Sequence, residues 1–336
     1  MGQGLGILER TLDRVSRREE TPVVLCIDVE PDTRVIDRDD PSPWAGFERF
    51  FEQAPALRER LSEATGRPGA FTWALRMDPQ VAVGWGSPTW VAEKYGGKLA
   101  ELSEEGDELA LHTHTWRWDS QTDEWVAEYE DPEWTEHCLT MGLDAFEEAF
   151  GRPCLAHRGG DHHLDGAMLS VLESRGVKID LTVEPGLPPL GAEEGETARG
   201  LRADYRGAPT RPYRSDPSRF PASDPTARSD PLLVPLLSAP RRRPPFRRAP
   251  LYPWDEGLEW FGPRVAAELL RKPPIVALAV RSSSAPPAVR SPSTIEAQAH
   301  WDTVAARLEH LGRHRQMVFT TASEARDRYE SHRVQS

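Results

Sequence analysis

Four segments of the sequence each end an apolar run with polar side chains that could carry chemistry. The segments are VVLCIDVEPD, GDELALHTHTW, CLAHRGGDHH and IVALAVRSSS. Nine residues stand at these ends: Asp28, Glu30, His112, His114, Arg158, Asp161, His162, His163 and Arg281. In a parallel barrel the catalytic groups gather where the C-terminal ends of the strands meet the following loops. We therefore predict that the four segments contribute to one site.

The spacing of two pairs in this set suits a metal ion. In an extended chain, residues i and i+2 point to the same face. Asp28 therefore shares a side with Glu30, and His112 shares a side with His114. Two imidazoles and a carboxylate make a site for Zn²⁺ or a similar divalent ion, with open positions for water and substrate. The second carboxylate could act as general base toward that water, whose pKa a bound metal lowers to about 7.

Each of these patterns also has a simpler explanation. A lone D-x-E at a strand end is often a helix N-cap, and histidines often only form hydrogen bonds at a barrel rim. Both pairs and an Arg-Gly-Gly-Asp turn nevertheless follow apolar strands in the expected order, which favours a site. Tryptophans near these segments could stack on sugar rings or simply pack in the core. They are Trp73, Trp85, Trp90, Trp116 and Trp118.

Short apolar runs alternate along the chain with longer segments of helical periodicity, which is typical of a parallel α/β sheet or barrel. Strands are predicted at residues 23–29, 70–75, 108–112, 154–157, 178–183, 232–237, 275–280 and 317–320. Helices are predicted at about 47–64, 89–105, 133–150, 165–175, 260–271, 294–312 and 323–332. This pattern favours a distorted (β/α) barrel of about seven to eight strands over an open sheet.

The domain organisation follows from where this alternation holds. We interpret residues 1–20 as an N-terminal extension and residues 21–332 as a single barrel. The stretch from about 184 to 255 is rich in Pro, Arg, Asp and Ser, and we expect it to form a mobile insertion near the barrel mouth. Its basic run between Arg241 and Arg248 is flanked by prolines, which is typical of a solvated loop.

The composition argues against several classes of function. The chain carries 41 basic and 54 acidic residues, for a net charge of −13, which disfavours nonspecific binding to nucleic acid or to an anionic membrane surface. No apolar run approaches a membrane span, and the first residues lack a signal-peptide core. The three cysteines show no CxxC spacing, which favours a reducing compartment. We therefore expect a cytoplasmic protein with a small-molecule substrate, and its oligomeric state is open.

The same segments resemble the polysaccharide deacetylases of carbohydrate esterase family 4. CIDVEPD is similar to the family's first motif, and ELALHTHTW stands where its metal-binding histidine motif belongs. AHRGGDHHLDGAMLSVLESRGVKIDLTV resembles the arginine motif with its following helix and strand, and MVFTTASEARDRY resembles the closing strand and helix. The resemblance covers residues 20–183 well and 275–330 loosely. It implies a barrel of the glycoside hydrolase/deacetylase type, a divalent metal, and hydrolysis of an N- or O-acetyl group.

The resemblance also implies roles for individual residues. Asp28 would be the catalytic base, and Arg158 would orient or polarise it. Glu30 would be the metal carboxylate, and His112 would be the first metal histidine. Asp161 lies in the same arginine motif, and we include it among the catalytic residues.

Two departures from the family pattern bear on the chemistry. The second metal histidine usually comes four residues after the first, where this chain has Trp116, so His114 has to replace it. The late strand usually ends in a histidine that acts as general acid, but here it ends in Arg281, which could stabilise an oxyanion and is a poor proton donor. His162 or His163 could supply the proton instead, or this pair could simply begin the following helix.

Three functions are compatible with these observations. The first is a metal-dependent hydrolase, with Zn²⁺ as the expected ion, that removes an acetyl group from an acetylated sugar or saccharide precursor. The second is a catalytically inactive barrel that binds a glycan or a partner protein, which the missing late-strand histidine favours. The third is a hydrolase of a non-sugar amide, because the fold does not determine the substrate.

Overall fold

Strands and helices alternate along most of the chain. The structure is a computed structural model that describes residues 20–41, 44–193, 195–240, 248–253, 258–282, 294–314 and 316–335. Its strands are β1 (Thr21–Val29), β2 (Thr72–Arg76), β3 (Glu108–Thr113), β4 (Trp116–Asp119), β5 (Glu124–Glu128), β6 (Ala156–Gly159), β7 (Ile179–Asp180), β8 (Thr197–Arg199), β9 (Leu232–Leu233), β10 (Ser238–Pro240), β11 (Arg248–Pro250), β12 (Val276–Arg281) and β13 (Met317–Phe319). Its helices are α1 (Ala45–Thr65), α2 (Pro79–Trp85), α3 (Trp90–Glu104), α4 (Pro132–Phe150), α5 (Gly166–Ser174), α6 (Leu258–Leu269), α7 (Thr294–Gly312) and α8 (Ala322–Gln335).

Eight of the strands form one parallel sheet that curls into a barrel. Their order is β12, β1, β2, β3, β6, β7, β9, and β13 pairs with the first residues of β1. Beyond β9, Leu236 forms a parallel bridge to Ala277 of β12, which brings the two ends of the sheet together. The eight strands correspond to the eight predicted ones, and the structure confirms the distorted barrel.

The two faces of this sheet carry side chains of different size. Small residues on alternate positions of neighbouring strands form one buried cluster, which includes Val24, Cys26, Ala74, Ala110, Ala156, Ala277 and Ala279. The larger residues between them, such as Leu25 and Ile27, pack in a second cluster with residues of the surrounding helices. Because side chains alternate along a strand, a residue that continues the small row at a strand end reaches the barrel mouth.

The helices begin and end at residues that suit those positions. At the start of α4, the side chain of Asp131 accepts hydrogen bonds from the backbone N–H groups of Glu133 and Trp134, and Pro132 occupies the first turn. The helix ends at Gly151, whose φ of 65° lies in the left-handed region. All seven predicted helices are present, and α2 is an additional short one.

The described parts of the 184–255 insertion pack against the barrel where we expected a mobile loop. Tyr205 and Tyr213 are buried, as are the residues around β9. Arg248, at the end of the basic run, donates from Nε to Oγ of Ser238 at 3.1 Å and pairs with Glu268 at 2.7 Å. This arginine is therefore held by the fold and is not part of a solvated loop, whereas residues 241–247 lie outside the described part of the chain.

A second, smaller sheet lies beside the barrel. Strands β4, β5 and β8 form a separate three-stranded sheet that continues directly from the segment after β3. Cys26, Cys138 and Cys154 are buried free thiols.

In the part of the chain that the structure describes, none of the helices is both long and apolar enough to span a bilayer.

Candidate active site

The barrel brings the four predicted segments to one end of the sheet. In the register of β1 with β12, Asp28 lies beside Arg281. In the register of β3 with β6, His112 lies beside Arg158. Asp28 continues the inward row of Val24 and Cys26, so burial of that row holds it at the mouth. The predicted convergence of these strand ends is confirmed.

Glu30, His112 and His114 form a compact group that could hold a metal ion. One ligand atom from each residue lies within 4.8 Å of the others, and all three side chains are buried. The two Nε2 atoms are 3.0 Å apart. Oε2 of Glu30 lies 3.3 Å from Nε2 of His114 and 3.8 Å from Nε2 of His112. These three residues are the ligand set that we predicted.

The surroundings of the two imidazoles indicate which nitrogens carry protons. Nδ1 of His112 lies 2.9 Å from the backbone carbonyl oxygen of Arg158, and Nδ1 of His114 lies 3.2 Å from Oδ2 of Asp161. The carbonyl oxygen only accepts, so Nδ1 of His112 carries the proton and its Nε2 keeps its lone pair. Nδ1 of His114 is buried without a hydrogen bond, and its Nε2 lies within hydrogen-bond distance of Nε2 of His112. When both rings are neutral with Nδ1 protonated, two lone pairs and a carboxylate oxygen face one another, and this donor set fits a divalent cation.

Charge and burial set the protonation of this group. Burial alone would raise the pKa of Glu30, but Arg281 and the two histidines lower it well below its usual range. Burial lowers the pKa of His112. Burial also acts to lower the pKa of His114, but Asp161 and Glu30 outweigh it, and the pKa is raised. An ionised Glu30 and a neutral His112 are the forms that bind metal.

A second group, centred on Arg158, holds Asp28 beside the metal ligands. Nε of Arg158 lies 2.9 Å and 3.2 Å from the two carboxylate oxygens of Asp28. Its NH1 donates to the carbonyl oxygen of Leu181 at 2.8 Å, and its NH2 donates to Glu184 at 3.3 Å. All three guanidinium nitrogens are engaged, so the arginine is fixed and Asp28 is fixed with it.

The turn after β6 is strained and tightly packed. Asp161 and His162 have φ of 53° and 58°, a region that non-glycine residues seldom adopt. A Cβ on Gly160 would lie 2.2 Å from the ring of His114, so only glycine allows that ring to rest against the turn. The strain therefore accompanies a close contact with a candidate metal ligand.

Asp161 acts as the anchor of His114. Besides its contact with that ring, Oδ2 of Asp161 accepts a hydrogen bond from Nε1 of Trp116 at 2.9 Å, and Oδ1 pairs with Arg34 at 3.0 Å. Burial would raise the pKa of Asp161, but His114 and Arg34 lower it well below its usual range. The carboxylate is thus ionised and positions the imidazole. Trp116, at the position where the family's second histidine was expected, supports the same carboxylate.

His162 and His163 point to different places. Nδ1 of His162 lies 2.7 Å from Glu184, and the residue lines the same cavity as Asp28. His163 is buried 4.9 Å from the ring of Tyr129, with Nε2 3.6 Å from Asp165, and it does not line that cavity. The following helix begins at Gly166 with Asp165 as its N-cap. The geometry therefore separates two histidines that the sequence left equivalent.

The cavity between these groups has an empty volume of about 280 Å³. It is lined by Asp28, His112, Arg158, Gly159, Asp161, His162, Tyr252 and Arg281. Tyr252 comes from the insertion and donates a hydrogen bond to Oε2 of Glu184. Asp28, His112, Arg158 and Asp161 are buried, so the cavity is narrow.

Comparison with known proteins identifies the fold that carries this site. No protein-family model and no curated protein matches the sequence. A candidate glycoside hydrolase/deacetylase from Parabacteroides distasonis aligns over 93% of this chain and 72% of its own, at 15% identity and a TM-score of 0.57. The Puue allantoinase aligns over 93% and 90%, at 12% identity and a TM-score of 0.53. The chain has the glycoside hydrolase/deacetylase barrel fold.

A candidate polysaccharide deacetylase from Mycobacterium smegmatis aligns over 94% of this chain and 92% of its own at 13% identity and a TM-score of 0.48. The Parabacteroides distasonis structure and the allantoinase confirm, at the level of the fold, the resemblance seen in the motifs. Identities this low establish the architecture, and the chemistry has to be argued from the site itself.

Three residues of the candidate site, Glu184, Arg34 and Tyr252, were not predicted from the sequence. Glu184 follows the predicted strand at 178–183, so the rule that selected the other strand ends would have found it. Arg34 and Tyr252 carried no such signal, because they come from loops whose path depends on packing. Among the tryptophans, Trp73 and Trp116 are buried, as the packing alternative predicts.

Proposed function

We propose that this chain is a metal-dependent hydrolase that removes an acetyl group from an acetylated saccharide or saccharide precursor. The observation that supports this most is the convergence of three lone-pair donors from Glu30, His112 and His114 beside the pair of Asp28 with Arg158. Two imidazoles and one carboxylate favour Zn²⁺. A bound divalent ion would supply Lewis-acid activation of water and of the acyl carbonyl.

The residues around the ligands would carry the proton transfers. Asp28 accepts the proton of the attacking water, and Arg158 orients its carboxylate. His162 then gives a proton to the leaving nitrogen or oxygen, and Glu184 holds its ring through Nδ1. Burial opposes ionisation of Glu184, but His162 and Arg158 lower its pKa to about 2. It is therefore a permanent negative partner for the imidazole.

A hydrolase of a non-sugar amide is the second candidate, and the enclosure of the cavity favours it. Its lining residues Asp28, His112, Arg158 and Asp161 are buried, and Tyr252 of the insertion joins them, so the cavity suits a small molecule better than a polymer chain. The allantoinase of the same fold shows by its name that this barrel accommodates such a substrate. The two candidates share the catalytic groups and differ only in what the cavity admits.

The decisive experiment measures bound metal and acetate release in the same samples. We expect about one zinc per chain in the wild type and much less in His112→Ala and His114→Ala. His137→Ala, which alters an exposed histidine of α4, serves as the control and should keep its metal. Acetate release should follow metal content across a panel of acetylated sugars and small acetamides.

Each outcome of this experiment identifies one function. Release from sugars supports the first candidate, and release only from non-sugar amides supports the second. Bound metal with neither acetate release nor hydrolysis of any compound in a parallel screen of non-acetyl amides would make the inactive, ligand-binding barrel the better account. Equal metal content in all four proteins would contradict the ligand assignment itself.

A further inference from the structure

Arg158 and Arg281 line the cavity, and Arg34 pairs with Asp161 at its edge. The three arginines differ in how their nitrogens are partnered. Arg158 forms hydrogen bonds with all three, to Asp28, Leu181 and Glu184. Each nitrogen of Arg34 lies within ion-pair distance of a carboxylate, on Asp161, Glu193 and Glu196. Both guanidinium groups are therefore committed to holding the protein together.

Arg281 is different. Its Nε lies 3.2 Å from Oε1 of Glu30, which is its one ion-pair partner within the described residues, and its two terminal nitrogens form no hydrogen bond there. The side chain lines the cavity and is 27% exposed, so these nitrogens are accessible from the cavity. Glu30 turns its other oxygen, Oε2, toward the histidines. The carboxylate can thus bind a metal through one oxygen and hold Arg281 in place through the other.

We propose that the terminal nitrogens of Arg281 bind a carboxylate of the substrate, so that the substrate is a small acylated molecule that carries a carboxylate. This inference rests on the proposed function, because it concerns the same site. A guanidinium group offers two parallel N–H donors that match the two oxygens of a carboxylate. Glu30 fixes the guanidinium in advance, which lowers the entropic cost of binding.

The charge around the cavity agrees with an anionic ligand. Asp28 and Asp161 line the cavity together with Arg158 and Arg281, and Glu30 lies against Arg281, so carboxylates exceed guanidinium groups by one at the cavity. A divalent ion held by Glu30 and the histidines would reverse this balance and make the cavity positive. A neutral acetylated substrate would leave the terminal nitrogens of Arg281 without a partner, whereas a carboxylate would satisfy them.

The test uses two matched pairs of probes that differ in one charge. N-acetylglycine is compared with N-acetylglycinamide, and N-acetylglucosaminuronic acid is compared with N-acetylglucosamine. Binding to the full-length protein is measured by calorimetry at saturating zinc, for the wild type and for Arg281→Gln, Arg281→Lys and Arg313→Gln. Arg313 is an exposed arginine remote from the site and serves as the control. Metal content is determined for every sample.

We expect the wild type and Arg313→Gln to bind the charged member of at least one pair about 10- to 100-fold more tightly than the neutral member, as charge-assisted hydrogen bonds do. Arg281→Gln should lose most of this preference with little change for the neutral member, and Arg281→Lys should keep part of it. The pair with the larger ratio shows whether the acid is a sugar or an amino acid.

The inference is overturned if Arg281→Gln keeps the preference, if the wild type has none, or if no probe binds. It is also overturned if Arg281→Gln slows hydrolysis of charged and neutral members equally while their binding ratio persists, since that result indicates a role in oxyanion stabilisation. A charge preference without hydrolysis of any probe would contradict the proposed function and leave the role of Arg281 intact.

Discussion

Asp28 and Glu30 are two positions apart at the end of one strand, yet they have different partners. Asp28 receives the guanidinium group of Arg158, whereas Glu30 lies between the histidines and Arg281. The carboxylate of Asp28 is paired with the guanidinium group of Arg158. Glu30 uses one oxygen to pair with Arg281, and its other oxygen faces the histidines, where it could bind a metal. This difference in partners supports a base for Asp28 and a ligand for Glu30.

Replacing Asp28 by Asn should therefore remove catalysis and keep the metal. The amide has nearly the same shape as the carboxylate but cannot accept the proton of water, so we expect kcat to fall by about 10²–10⁴. Metal analysis and circular dichroism should match those of the wild type. If the variant is purified without metal, Asp28 is the principal ligand, and its role must be exchanged with that of Glu30.

The two neighbouring histidines should behave differently when each is replaced by Ala. His162 lines the cavity and is paired with Glu184, so His162→Ala should lower kcat strongly and abolish the loss of activity toward alkaline pH. His163 packs against Tyr129 outside the cavity, so His163→Ala should lower the melting temperature and leave the pH–rate profile unchanged. Full activity in His162→Ala would show that the acid lies elsewhere.

Among the elements, the turn that joins β6 to α5 carries the greatest constraint. It places Arg158 before the turn and His162 within it, and it brings Gly160 against the ring of His114. Two successive left-handed residues are unfavourable in isolation, so the contacts of Asp161 must compensate for them. The turn thus connects the metal group to the base and the acid.

A single methyl group at this turn should disturb the metal group. In Gly160→Ala the new Cβ would overlap the ring of His114, so we expect metal affinity to fall at least tenfold, with a lower melting temperature. Gly97→Ala is the matched control, because a Cβ there meets no atom within 4 Å and the site is helical. That change should keep metal affinity and slightly stabilise the helix. Unchanged affinity in Gly160→Ala would contradict the model of the turn. Competition with a chelator measures the affinity.

The elements that could be predicted are those with a strong local pattern. All eight barrel strands combine an apolar run with flanking turn residues, and the seven predicted helices combine periodicity with caps such as Asp131 and Gly151. The small sheet of β4, β5 and β8 was missed. Its strands have three to five residues, and β8 pairs with β5 from about seventy positions away. No local pattern contains that pairing.

The residues of the candidate site likewise divide into those that could be predicted from the sequence and those that could not. The grouping of the candidate ligands could be predicted because strand alternation places each pair on one face, and Glu184 could have been found by the same argument. The separation of His162 from His163 could not, since it depends on left-handed backbone angles in the turn. The position of Tyr252 at the cavity depends on how the 184–255 insertion packs. The composition of the insertion had led us to expect a mobile loop instead.

At the scale of the whole molecule, the insertion is now divided into a packed part and an exposed part. Arg202 and Arg214 are buried, whereas Arg228 lies in an exposed stretch between two packed segments. Within the described residues of the insertion we expect limited trypsin digestion to cut first after Arg228, and mass spectrometry of the fragments would show this. Early cleavage at Arg202 or Arg214 would mean that the insertion is not packed as described.

The barrel closes only when β12 joins Leu236, yet the candidate metal ligands Glu30, His112 and His114 all precede both partners of that bridge in the chain. A ribosome therefore synthesises all three before the segment that completes the ring. A divalent ion captured by them at that stage would hold the ends of β1 and β3 together while the rest is still being synthesised, and its binding energy would add to folding energy. The supply of that ion during translation would then affect how much of the protein reaches its native state.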